Sequence, residues 1–206
     1  MNSLRPLLAA LPSLVTAGFF LATWRSPMSV QNGRWAAMAQ TYVLYEFLSI
    51  HSGAFMGLLF QYLHQKFNLQ LALAAGGLLL VYGIFSLGLA FAQVGKGLLI
   101  LFWLNVLARC LNGGWGNASE FGEALLVRSF VSIPILLLCL FLAMVKIDLF
   151  PRWGMTQEAL FQVNDAFGLR SGQEKRMLTG VVWASMHFTL VGLTEFWIPS
   201  IMRNKH

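Results

Sequence analysis

The stretch EALLVRSFVSIPILLLCLFLAMV, residues 123–145, carries formal charge only at Glu123 and Arg128. About 20 apolar residues in a helix are enough to cross the hydrocarbon core of a bilayer, which is about 30 Å thick. The run is continuous and does not alternate, so it predicts a transmembrane α-helix and excludes a strand of a membrane barrel. This stretch places the chain among helical membrane proteins.

Five further apolar runs extend this prediction to the whole chain, at 6–24, 35–63, 69–93, 97–111 and 178–201. The run 97–111 is short and contains Asn105 and Arg109, a composition that also suits a tilted or re-entrant half-span. The expected fold is all-α: a polytopic transmembrane helical bundle of about six spans. We expect residues 1–206 to form a single membrane domain.

The composition agrees with a lipid environment. Of the 206 residues, 57% are hydrophobic and 11% are charged, and the mean hydropathy is +0.66, whereas soluble domains are about 25% charged. The net charge of +6 comes from basic residues scattered singly at the ends of apolar runs. Since there is no basic stripe with interleaved aromatic residues, we expect the lipid bilayer as a partner and no nucleic acid.

One extramembrane loop, 146–177, is long enough to hold structure of its own. Thr156 is a suitable N-cap for a short helix and Gly168 a suitable stop. The apolar residues between them fall on one helical face, namely Ala159, Leu160, Val163 and Phe167. This pattern predicts an interfacial amphipathic helix.

The distribution of basic residues predicts an orientation. With six spans, eight of the assigned Lys and Arg residues share one side and five share the other. Because positive residues accumulate on the cytoplasmic side, this favours both termini outside the cytoplasm, in the cytoplasmic membrane of a bacterium.

Four ionisable residues interrupt the apolar runs: Glu46, His51, His187 and Glu195. Such residues are costly in a bilayer, so a functional role is the default hypothesis for them. His51 and His187 lie near the midpoints of the second and sixth runs, which predicts a similar depth for both. If those two helices run parallel, Glu46 and Glu195 fall on opposite sides of the histidine layer.

Helical geometry separates Glu46 from His51, because five residues place them about 140° apart around the axis. Glu46 shares a small, polar stripe with Tyr42, Ser49, Gly53 and Met56. His51 shares an apolar stripe with Leu44, Phe47, Leu48, Phe55 and Leu58. The two side chains therefore belong to different surfaces of a straight helix.

Several functions remain open for these residues. We interpret the chain as a small membrane subunit or scaffold with a buried polar site around His51 and His187. A proton-linked transporter or channel would use the same residues, with Glu46 and Glu195 on the proton path. Alternatively, the two histidines would hold haem or a transition metal, with the glutamates as supporting groups or in an intramembrane metalloenzyme.

A second polar cluster surrounds the start of the fifth run. Glu120 and Glu123 open that helix, where carboxylates are favoured by the exposed backbone amides. Arg109 and Arg128 flank them. Two arginines and two glutamates at one membrane boundary predict an interfacial ion-pair network.

Between residues 40 and 150 the chain resembles a family of uncharacterised bacterial integral membrane proteins. The resemblance rests on the His-x-Gly-x-Phe element at His51, Gly53 and Phe55, on the glycine-rich break at 112–119, and on a helix bearing Arg128 and Pro134. It implies a helical membrane fold and no particular activity.

Overall fold

The computed structural model describes residues 4–65, 118–169 and 172–198, with ten single residues between Leu69 and Gly88. All regular structure in these residues is helical. The α-helices are α1 (Leu4–Arg25), α2 (Arg34–Gln65), α3 (Ala118–Val145), α4 (Gln157–Ala166) and α5 (Glu174–Thr194). Single 3-10 turns lie at Pro27–Ser29, Gln31–Gly33 and Ile147–Leu149.

Three described helices are long and apolar enough to cross a membrane: Leu7–Arg25, Gly122–Val145 and Glu174–Thr194. They correspond to the first, fifth and sixth runs in the sequence. α2 covers the second run and is 32 residues long, but it is not among these three helices. The all-helical, membrane-compatible class is therefore confirmed, whereas the number of six spans is not.

The third predicted span is described only at separate positions, and 97–111 lies outside the described residues. Those separate positions are all helical. Their large apolar side chains are exposed: Leu69, Leu73, Leu80, Val81, Ile84 and Leu87.

The described helices divide between two compact units. One unit comprises Met1–Pro12, Tyr45–Pro134 and Thr194–His206. In it, a Cβ added to Gly53 would lie 3.0 Å from the Ser129 hydroxyl, and one added to Gly57 would lie 2.8 Å from the Gly122 carbonyl oxygen. Rising numbers on α2 thus meet falling numbers on α3, so the two helices are antiparallel. A Gly-x-x-x-Gly pair permits this close backbone approach.

The other unit comprises Ser13–Leu44 and Ile135–Leu193, and aromatic rings form its core. Phe20 of α1 contacts Tyr42 of α2 at 5.0 Å and Phe188 of α5 at 6.2 Å between ring centroids. Tyr42 and Phe188 meet edge to face at 5.9 Å. Offset and edge-on arrangements of this kind are the favoured ones for aromatic pairs.

Helix directions in this second unit follow from two glycines of α5. A Cβ on Gly180 would press on Ala39, and one on Gly192 would press on Leu14. Together with the contacts of Phe188, these positions make α2 parallel to α5 and α1 antiparallel to it. The sequence analysis considered this parallel direction of the second and last helices as a condition.

The short helix α4 forms as the sequence predicts. The Thr156 hydroxyl accepts a hydrogen bond from the Ala159 amide at 3.2 Å, which caps the helix. Val163 is fully buried against Gly33, whose φ of +86° belongs to the region that glycine tolerates. The apolar side of α4 thus packs on the turn between α1 and α2, while Phe161 is 66% exposed.

Candidate functional site

A buried ion pair joins α3 to the residue that follows α5. Arg128 Nε donates to both carboxylate oxygens of Glu195, at 3.2 and 3.1 Å. The two side chains are only 9% and 7% exposed. Arg128 lies about 9 Å of helical rise inside the Gly122–Val145 span.

Burial makes this pair sensitive to the loss of either partner. Removing two charges from water is expensive, and mutual attraction offsets the cost only when both partners are present. Arg128 Nη1 is also buried and has no hydrogen-bond partner in the part of the chain that the structure describes. The arginine therefore keeps one donor available beyond its bond to Glu195.

Glu46 lies on the buried side of α2, as predicted. It is 3% exposed, and its neighbours Tyr42 and Ser49 are each 2% exposed. Along α2, Glu46 precedes the Gly53–Ser129 contact by about 10 Å of helical rise. Of the predicted stripe, Tyr42, Glu46 and Ser49 are buried, whereas Gly53 and Met56 are half-buried.

His51 occupies the other side of the same helix and is exposed. Its Nδ1 lies 2.9 Å from the carbonyl oxygen of Phe47, one turn earlier. Because a carbonyl only accepts hydrogen bonds, this contact is a hydrogen bond when Nδ1 carries the ring proton. In that neutral tautomer Nε2 is an acceptor. The centroids of the Phe47 and His51 rings lie 3.9 Å apart.

His187 has the opposite environment, although it too lies near the midpoint of an apolar run. It is 0% exposed and stacks on Trp183 at 5.0 Å with an interplanar angle of 9°. Phe188 meets it edge-on at 5.2 Å. The two histidines belong to different units, and each has its own set of neighbours.

The predicted ion-pair network is described only in part. Arg109 and the Glu120 side chain lie outside the described residues, and Glu123 is half-buried. The structure pairs Arg128 with Glu195, which the sequence analysis had placed in separate groups. Both residues were recognisable as ionisable groups in apolar runs, but no local spacing connects positions 67 residues apart.

Chemically, the described residues offer an electrostatic brace and a set of hydrogen-bonding groups. Among them, no group of three or more His, Cys, Asp or Glu side chains is arranged to hold a metal ion. His51 Nδ1 lies within hydrogen-bond distance of a backbone carbonyl, a geometry typical of a metal-ligating imidazole. No known family model, curated protein or solved structure matches the chain.

Proposed function

We propose that the protein is a subunit of a larger membrane assembly and that it binds a helix of another subunit through one face of α2. The observation that carries the proposal is the position of His51, a hydrogen-bonding side chain on an exposed apolar face. The three helices that are long and apolar enough to cross a membrane support its membrane location.

The proposed contact face, the α2 seam, is defined by Leu48, His51, Phe55, Leu58 and Tyr62. These residues follow one another at intervals of three and four, the spacing by which helices pack lengthwise on each other. Phe55 and Leu58 are each 58% exposed and Tyr62 is 57% exposed. Gly53 and Gly57 of α2 face α3, whereas the seam lies on another side of the helix, away from the described contacts with α3.

The chemistry of His51 specifies what the partner offers. In the neutral tautomer with its proton on Nδ1, Nε2 is an acceptor. Hydrocarbon supplies no donor to it, so exposure of this nitrogen to lipid is unfavourable. A partner helix that presents a hydroxyl, amide or cationic donor at this level satisfies it. Interhelical hydrogen bonds of this kind contribute about 0.6 kcal/mol on average and up to about 1.7 kcal/mol.

The same chemistry argues against a symmetric contact with a second copy of the chain. A parallel two-fold pair along the seam would set His51 against His51. In each neutral ring the Nδ1 proton is used in the hydrogen bond to the Phe47 carbonyl. Two Nε2 acceptors would then face each other without a proton between them. A helix of a different subunit avoids this conflict.

The proposal is tested by purifying the chain from its native membranes in mild detergent and measuring what remains bound. We expect a second polypeptide at a fixed ratio. His51→Leu keeps a side chain of similar size on the apolar face but removes the acceptor. We expect it to weaken that association about threefold or more. Phe130→Leu is the matched control, because Phe130 is 70% exposed on α3, outside the seam.

Two results would overturn the proposal. One is a chain that purifies alone, or only with copies of itself, under conditions that keep known complexes of the same membranes intact. The other is a bound polypeptide whose ratio is the same in the wild-type protein and in His51→Leu.

Proton or solute passage is a second candidate, favoured by the buried Arg128–Glu195 pair and its unused Nη1 donor. Ionisable residues of this kind inside membrane helices commonly mark translocation paths. Proton flux into liposomes that disappears in Glu195→Gln and Glu46→Gln, with helicity unchanged, would support it. Flux absent from the wild type would dismiss it.

Haem or transition-metal binding is a third candidate and rests on the Nδ1 geometry of His51. A colourless, metal-free protein purified from native membranes would dismiss it.

We place the protein in a bacterial cytoplasmic membrane, as the distribution of basic residues favours.

A further inference from the structure

We infer that the end of the second unit at Lys146–Trp153 binds the headgroup of an anionic phospholipid, with Leu149 and Trp153 in the adjoining acyl boundary. This site is independent of the α2 seam and of the proposed function. It lies directly after α3, at the end of a helix that is long and apolar enough to cross the membrane.

The segment is held firmly against the end of α1. Trp24 Nε1 donates to the Pro151 carbonyl at 2.8 Å, and the Gly154 amide donates to the Trp24 carbonyl at 3.3 Å. The second bond satisfies one of the carbonyls that a helix C-terminus leaves open. Gly154 approaches the Arg25 carbonyl so closely that a Cβ at this position would overlap it.

Two large apolar side chains point outward from this fixed segment. Leu149 is 77% exposed and Trp153 is 55% exposed, whereas Ile147 and Trp24 are buried. Trp153 has a φ of +44°, which is rare for a bulky residue, and its ring packs on Trp24 at 4.6 Å. The backbone therefore accepts an unfavourable conformation that keeps this indole at the surface, where tryptophan serves as a membrane-interface anchor.

Positive charge accompanies these apolar groups. Lys146 and Arg152 flank them in the segment, and Arg25 ends α1 beside Gly154; all three are exposed. Asp148, also exposed, is the acidic residue of the segment. The local balance is three basic groups against one acid, which complements a phosphate-bearing anionic headgroup and not a zwitterionic one.

The combination favours a lipid over a free phosphate. A free anion would use the cations but leave Leu149 and Trp153 in water. A bilayer surface accommodates both, because the acyl boundary and the headgroup layer are adjacent. Each basic residue near such a surface strengthens binding by about fivefold.

The experiment uses Trp153 as its own reporter. The full chain is reconstituted in phosphatidylcholine vesicles containing one quarter phosphatidylglycerol, with bromine on the acyl chains of one lipid or the other. The contribution of Trp153 is the fluorescence difference between wild type and Trp153→Phe. We expect brominated phosphatidylglycerol to quench this contribution more strongly per molecule than brominated phosphatidylcholine.

Charge variants decide whether the preference belongs to this site. Arg152→Gln with Lys146→Gln should remove most of the preference for phosphatidylglycerol while quenching by phosphatidylcholine persists. Lys175→Gln with Arg176→Gln removes two exposed basic residues at the start of α5 and should leave the preference unchanged. Circular dichroism checks that all variants keep the same helicity.

Equal quenching of the wild type by both brominated lipids would overturn the inference. A Trp153 contribution that neither lipid quenches would do so as well, because the indole would then lie outside the bilayer. A preference that the Lys175/Arg176 variant abolishes as fully as the Arg152/Lys146 variant would assign it to net charge and also overturn the site.

Discussion

His51 and His187 are the same residue type and lie near the middle of two apolar runs, yet one side chain is exposed and the other is buried. His187 is enclosed by Trp183 and Phe188 and reaches no solvent or lipid. His51 stands on an open apolar face and keeps its Nε2 acceptor exposed. Position within an apolar run therefore does not determine whether a histidine is buried; the side of the helix on which it lies does.

The unit that carries His51 also contains the buried Arg128–Glu195 ion pair. The contrast with His187 therefore concerns only the exposed face of α2, not the whole unit. Replacing Arg128 by Met leaves Glu195 buried without its cation, and we expect a loss of about 3–5 kcal/mol in the free energy of unfolding. The double variant Arg128→Met with Glu195→Leu removes both charges and should recover most of that loss. Thermal unfolding in detergent, followed by circular dichroism, measures both.

Phe130→Met is the matched control for this experiment, because Phe130 is on α3 and largely exposed; its effect should stay within about 0.5 kcal/mol. A single Arg128 variant as stable as the wild type would show that the buried pair contributes nothing. In that case the open face of α2 would no longer contrast with an ordered interior in the same unit.

The two histidines themselves give a paired prediction. His187→Ala removes a stacked ring from a filled core, and we expect it to lower the free energy of unfolding by about 2 kcal/mol. His51→Ala removes an exposed ring and should change it by no more than about 0.5 kcal/mol. Chemical denaturation of both variants beside the wild type provides the comparison.

Equal destabilisation by the two alanine variants would break the distinction between an enclosed and an open histidine. A larger loss at His51 would mean that another part of the chain covers the α2 seam. The expected inequality would sharpen the account, because it separates a residue retained for packing from one retained for contact.

Sequence alone predicted the parts of this picture that depend on local periodicity. The helical class followed from uninterrupted apolar runs, and the division of Glu46 from His51 followed from the 100° step of a helix. The Thr156 cap was visible from residue type and position. Each of these depends on residues within a few turns of one another.

Long-range features of the site were not predictable in this way. Arg128 and Glu195 are each conspicuous, but only tertiary packing brings them together. His187 contacts Phe188, which in turn packs on Phe20 and Tyr42 of other helices. Periodicity on α5 gives the direction of the His187 side chain, and it gives no information about what fills the space beyond.

Photo-cross-linking from the seam tests the central claim most directly. A photoreactive phenylalanine analogue replaces Phe55 on the seam or Phe130 on α3, two exposed rings of the same unit, and native membranes are irradiated. The account predicts that the Phe55 probe cross-links to a different membrane polypeptide, which also co-purifies at a fixed ratio, and that the Phe130 probe does not. Cross-links from Phe55 to lipid alone, to its own chain or to a second copy would contradict it.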